Sequence, residues 1–252
     1  MKKMLYTLAA LITSACTSQA PDKTADSAPS AQDIEQFART QTLTIDEYAQ
    51  QLLNAPDAQV LDVRSAEEFA VNHIQGAVNI DFADSADMTQ KLAALDKTRP
   101  TFTYSIREGR SVILAKQLKD QGFRTVYFMP GGIGTWVGAG YALESTVDAS
   151  KSLDLDAYQK QVASSRLTFV DISSIHCGSC KRLHPILDSL EQQYPQVQVL
   201  RYEMDEQLLL VQALKVQSLP TLLFYVDGKE VWKHVGTQTS ADLRALFAQY
   251  AR

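Results

Sequence analysis

The sequence predicts an α/β protein of two domains, and three observations carry the prediction. From about residue 40 onward, short apolar runs alternate with amphipathic stretches, the order that produces sheets with helices packed on their faces. The 252 residues, 45% apolar, 21% charged and 8% aromatic, suffice for two modest cores at roughly 150 residues each, and they exclude collagen-like, wholly disordered and multi-span membrane chains. The three cysteines, Cys16, Cys177 and Cys180, are too few for a disulfide framework and fall as one isolated residue and one Cys-x-x-Cys pair. A net charge of -5 without a basic stripe predicts no nucleic-acid partner.

At the N-terminus, Lys2 and Lys3 precede an apolar run over 4–12 that is too short to span a bilayer, followed by Thr13, Ser14, Ala15 and Cys16. This pattern is a secretory signal. The cysteine directly after the small residues resembles the lipobox of bacterial lipoproteins, although Thr13 departs from the usual leucine. The resemblance implies that 1–16 is a signal peptide ending in a lipidated Cys16. An ordinary signal peptide that ends near a cysteine is the alternative. Thr17 in place of aspartate implies sorting to the outer membrane, with the folded part on the periplasmic face. Residues 17–39 are expected to be a disordered tether, because most of the stretch offers almost nothing to bury.

The first domain is expected over 40–147. Thr44 and Glu47 form a capping box that opens a helix through Leu53, 60–63 is a short buried strand, and Ser65 with Glu68 caps the next helix. Strands are expected at 78–80, 101–104 and 125–128. Helices are expected at 88–95 and 110–121, the latter stopped by Gly122. The alternation predicts a parallel sheet with helices on both faces. Four groups of residues then stand in order: Leu61-Asp62-Val63-Arg64 with Glu68-Phe69, His73 to Asn79, Gly109-Arg110-Ser111, and Gly131-Gly132 with Trp136. Together they resemble the landmarks of a rhodanese domain. In active rhodaneses a cysteine stands at the end of the central strand, shortly before the Arg-Ser pair, and here that position is Ser105. A serine hydroxyl cannot carry a sulfane sulfur, so no sulfurtransferase activity is expected. Two readings remain for the loop over 105–110: an anion-binding cradle built from Arg110 and the loop amides, or a degenerate site kept because the fold needs the turn.

The second domain is expected over 150–252. A helix over 154–165 leads into a nearly continuous apolar strand at 167–172, and a helix over 177–194 carries Leu183, Ile186, Leu187 and Leu190 on one face. A strand at 197–202, a short helix at 207–214, a hairpin of 221–226 with 230–235 around Asp227-Gly228, and a closing helix at 240–250 complete the order. With Cys177-Gly178-Ser179-Cys180-Lys181 at a strand-to-helix junction, the whole domain resembles thioredoxin. Asp171 stands where thioredoxins carry a buried acid, Pro185 where their active-site helix kinks, Arg201 in the place of a lysine near that acid, and Leu219-Pro220-Thr221 at the loop whose proline is cis.

That resemblance implies a thiol-disulfide oxidoreductase without a cofactor. Cys177, at a helix N-terminus with an exposed sulfur, is the expected attacking thiol, its pKa below the free value of about 8.5. Cys180 would resolve the mixed disulfide, and a buried Asp171 with a raised pKa would take its proton. Pro220, lacking an N–H, would leave a groove for an extended substrate segment beside the cysteines. His176 would make the pair more oxidising if protonated and would be a spectator if neutral. Ser179 replaces the proline of reducing thioredoxins, so the direction of electron flow is not readable. Disulfide-containing exported proteins, a separate electron donor or acceptor, and the membrane through its lipid anchor are the expected partners. A rival reading is copper or zinc handling by Cys177, Cys180 and His184, which fall at i, i+3 and i+7 on one helix face.

Overall fold

The computed structural model describes residues 29–41 and 43–251; the signal segment and Cys16 lie outside them. The first element is a helix, α1 (Ala31–Ala38), opened by a capping box between Ser30 and Asp33. It corrects the tether expected over 17–39 at residues 31–38, where Ile34 and Phe37 pack on the first domain's core with the Phe37 ring 6.0 Å from that of Phe128; residues 17–28 lie outside the described residues. A short amphipathic helix holds its place because a neighbouring surface takes its apolar stripe, which local composition does not reveal.

The remaining elements of the first domain are α2 (Ile45–Leu53), β1 (Gln59–Asp62), α3 (Ala66–Val71), β2 (Asn72–His73), β3 (Val78–Asn79), α4 (Ser85–Ala93), β4 (Thr101–Tyr104), α5 (Glu108–Asp120), β5 (Val126–Phe128), α6 (Ile133–Gly138) and β6 (Glu144–Ser145). Both expected capping boxes form, Thr44 with Glu47 and Ser65 with Glu68. The sheet runs β3-β1-β4-β5 with every pair parallel. The ribbon of β2 with β6 and the helix α6 are additions to the predicted order.

In the second domain α7 (Leu155–Val162) precedes β7 (Leu167–Ser173), α8 (Gly178–Gln193), β8 (Val197–Glu203), α9 (Leu208–Ala213), β9 (Thr221–Val226), β10 (Lys229–Val235) and α10 (Ser240–Tyr250). Its sheet runs β10-β9-β7-β8, with β7 parallel to β8 and antiparallel to β9. Every residue of β7 is buried, in keeping with its nearly continuous apolar run. One face is covered by α8 and α10 through Leu183, Leu187, Leu190, Leu243 and Phe247, which meet Phe169 and Phe224 of the sheet.

The two domains share a third apolar cluster. It joins Tyr104, Ile106, Ile133 and Trp136 of the first to Tyr202, Met204, Val216 and Leu219 of the second, and it contains both cysteines of the pair. At this seam α6 lies against α9. Thr135 Oγ1 donates to the Gln217 carbonyl, and Asn72 Nδ2 donates to Asp205 Oδ1 at 2.7 Å. Asn72 in turn accepts from Arg64, whose buried guanidinium grips Asp62 at 2.7 Å.

Candidate active site

Strand β7 delivers the cysteine motif. Its last residue, Ser173, is followed by a turn over 174–176, and Cys177 takes the N-cap position of α8 in extended conformation. Cys177 and Cys180 are joined as a disulfide with their Cα atoms 5.2 Å apart. The Cys177 Sγ accepts the Cys180 N–H at 3.3 Å and lies 2.9 Å from Ser179 Oγ. On reduction the Cys180 N–H and the other unpaired N–H groups at the start of a 16-residue helix favour the thiolate form of Cys177.

Asp171, fully buried in β7, supplies the acid. Burial raises its carboxyl pKa, opposed first by the nearby His184 and then by the Ser173 hydroxyl and Arg201. His184 Nε2 lies 3.3 Å from Asp171 Oδ2, and Ser173 Oγ bridges the two, at 3.2 Å from the carboxylate and 3.3 Å from the imidazole. Cys180 and His184 are four residues apart on α8 and so share one face, which the His184 contact directs at Asp171. The other oxygen, Asp171 Oδ1, is buried without a hydrogen-bond partner among the described residues. It is therefore free to accept a proton. Pro220 follows a cis peptide bond and leads into β9, the strand beside β7.

Comparison with known proteins gives two family matches, thioredoxin over residues 149–249 and rhodanese-like domain over residues 45–139. The chain is 34% identical to thioredoxin-1 of Saccharomyces cerevisiae over 91 residues, 36% of this chain and 88% of that protein. The chain belongs to the thioredoxin family. Thioredoxin of Chlamydia trachomatis is likewise 34% identical, over 86 residues that make up 34% of this chain and 84% of the relative. The protein is thus a thiol-disulfide oxidoreductase in which a rhodanese-like domain precedes a thioredoxin domain.

Several expectations need correction inside that frame. The sulfur of Cys177 is not exposed: both cysteines have 0% accessibility, and Ser179 between them is buried too. The rhodanese-like domain supplies part of the cover, since Arg107 Nη1 donates to Ser179 Oγ at 3.3 Å. Arg201 pairs with Asp171 in the β7–β8 register, but its guanidinium turns to Asp188 and Glu191, at 2.7 and 3.2 Å. The basic side chain in contact with the buried acid is His184. Of the residues in the metal reading, His184 is engaged with Asp171 and Ser173, and Cys177 and Cys180 are joined to each other. His176 is half-buried, and its backbone N–H donates to Ser174 Oγ at 3.2 Å.

The two loop residues expected to receive an anion are buried or engaged within the protein. Ser105 is buried, its hydroxyl without a hydrogen-bond partner among the described residues, and its carbonyl accepts the Ile133 N–H at 2.9 Å. Arg110 makes an ion pair with the buried Glu68 at 3.4 Å, so the cation expected to receive an anion is already neutralised. Arg107, which the sequence reading passed over, does the reaching. With Glu108, Gly109, Gly131 and Ser218 it lines a cavity of about 540 Å³ at the seam. No local pattern marks it, because its partner Ser179 is far along the chain.

Proposed function

We propose that the protein is a thiol-disulfide oxidoreductase of the bacterial envelope that reduces or isomerises disulfides in other exported proteins through Cys177 and Cys180. The observation that carries this reading is the disulfide at the N-terminus of α8 with a buried, partly unsatisfied Asp171 on the strand that delivers it. In the reducing direction the Cys177 thiolate attacks a substrate sulfur, forming a mixed disulfide and releasing one substrate thiolate. The Cys180 thiol passes its proton to Asp171 and attacks the Cys177 sulfur. This releases the second substrate thiolate and leaves the Cys177–Cys180 disulfide, which a separate donor then reduces.

Export and anchoring rest on Lys2, Lys3, the apolar run over 4–12 and Cys16, which support a lipid-anchored protein on the periplasmic face of the outer membrane. The rhodanese-like domain takes no part in sulfur transfer, because Ser105 cannot form a persulfide.

Cys177→Ser is expected to abolish reduction of insulin disulfides; unchanged activity would refute the reading. A reduction potential near about -270 mV supports a reductase, whereas one near about -120 mV would make the pair a donor of disulfides.

A further inference from the structure

We infer that the rhodanese-like domain occupies the substrate-taking face of the thioredoxin domain, so that a protein disulfide reaches Cys177 only when the two domains part. The inference rests on the thiol-disulfide reading above and concerns access to the same site.

The groove beside a Cys-x-x-Cys pair is walled by the motif on one side and by the segment leading into the cis proline on the other. Both walls are covered. On the motif side, Ser179 accepts a hydrogen bond from Arg107, and the sulfurs of Cys177 and Cys180 are inaccessible although neighbouring Ile175 is 60% exposed. On the proline side, the backbone over 216–219 lies under α6. The Gln217 carbonyl, a main-chain acceptor that an extended substrate could use, is taken by Thr135.

The sequence of α6 fits that seat. Gly134 and Gly138 are four residues apart and share one helix face. Glycine costs about 1 kcal/mol relative to alanine inside a helix, so two of them in six residues need a reason outside the helix. The neighbouring chain supplies it. A Cβ on Gly138 would overlap the Val216 carbonyl, whereas one on Gly134 would sit at ordinary contact, 3.5 Å from Met204 and 3.7 Å from Leu219. Gly138 is therefore a position where one methyl group tests whether the domains must lie flush. Its backbone is ordinary helix, so the methyl group has no local penalty.

The experiment uses the full chain after reduction and follows the alkylation of Cys177 by a polymer-bearing maleimide, located by mass spectrometry, alongside insulin reduction. In wild type, labelling is expected to be slow and to reach a plateau as reagent concentration rises, the plateau being the rate of parting. Gly138→Ala should speed both labelling and insulin reduction ten-fold or more, with Gly134→Ala within two-fold of wild type. Wild-type labelling that rises linearly to the rate of a free thiol would overturn the inference, as would a folded Gly138→Ala protein that labels at the wild-type rate. If Gly138→Ala does not fold, the wild-type concentration series decides alone. Absence of insulin reduction from both proteins would overturn the functional reading instead, because labelling needs no turnover.

Discussion

Asp62 and Asp171 occupy comparable places in the two domains: each is fully buried on an interior strand of its sheet, β1 and β7. Their surroundings differ. Asp62 accepts from the Arg64 backbone N–H at 2.9 Å and from Nε and Nη2 of the same residue at 3.0 and 2.7 Å, so both oxygens are satisfied by a cation that cannot lose its proton. Asp171 faces a histidine and a hydroxyl on one oxygen and nothing on the other. A buried carboxylate matched by a permanent fork of donors is a structural member, and one left short of partners can exchange a proton. Asp62 is of the first kind and Asp171 of the second.

Breaking the first arrangement has the largest expected effect. Arg64→Met leaves Asp62 uncompensated in the interior and should cost about 3–5 kcal/mol, read by urea denaturation. Asp171→Asn should do the opposite to stability at neutral pH. A carboxyl whose pKa is raised by burial binds its proton more tightly in the folded state, so stability falls as pH rises above the unfolded value, and the neutral amide removes that loss. The same variant should slow release of the mixed disulfide, seen as accumulation of a trapped complex by mass spectrometry.

His184→Gln sharpens the comparison further. Without the imidazole the Asp171 carboxyl should rise further, moving the pH profile of the resolving step upward, while Arg201→Gln should move it less. Glu203, raised to about 7 by burial and then by Asp205, accepts the Ile175 N–H that fixes the turn before Cys177. Because its folded value lies above the ordinary 4.5, stability should decline from about pH 4.5 to about 7 and stay low above. Glu203→Gln should recover about 1 kcal/mol at pH 8, after allowance for partial exposure. The smallest effect is expected at Ser105. Ser105→Ala deletes a buried hydroxyl with no partner and should leave activity unchanged and stability equal or higher by up to about 1 kcal/mol, measured by thermal melting.

Local chemistry made most of the architecture legible. The capping boxes at Thr44 and Ser65, the buried run of β7, the Asp227-Gly228 turn and the closing helix all stand where side-chain pattern alone places them. The cysteine pair was legible at its strand-to-helix junction, and Asp171 and Pro220 through the resemblance to thioredoxin. What escaped depends on partners distant in sequence. The apolar stripe of α1 needs Phe128, and Gly134 and Gly138 make sense only beside residues 204–219. Arg107 matters because Ser179 lies across the seam, and the hydrogen bonds of Arg201 to Asp188 and Glu191 follow side-chain reach rather than strand register. A spacing rule cannot see across a domain boundary.

The apolar cluster that spans both domains also has a calorimetric meaning. Separate cores would melt in two heat-absorption peaks. Here the pairing of Asn72 with Asp205 and the packing of α6 on α9 tie the first domain's buried ion network to the second domain's interior. Neither half can lose its order without exposing part of the other's, so the chain should absorb heat in a single transition whose van't Hoff and calorimetric enthalpies agree.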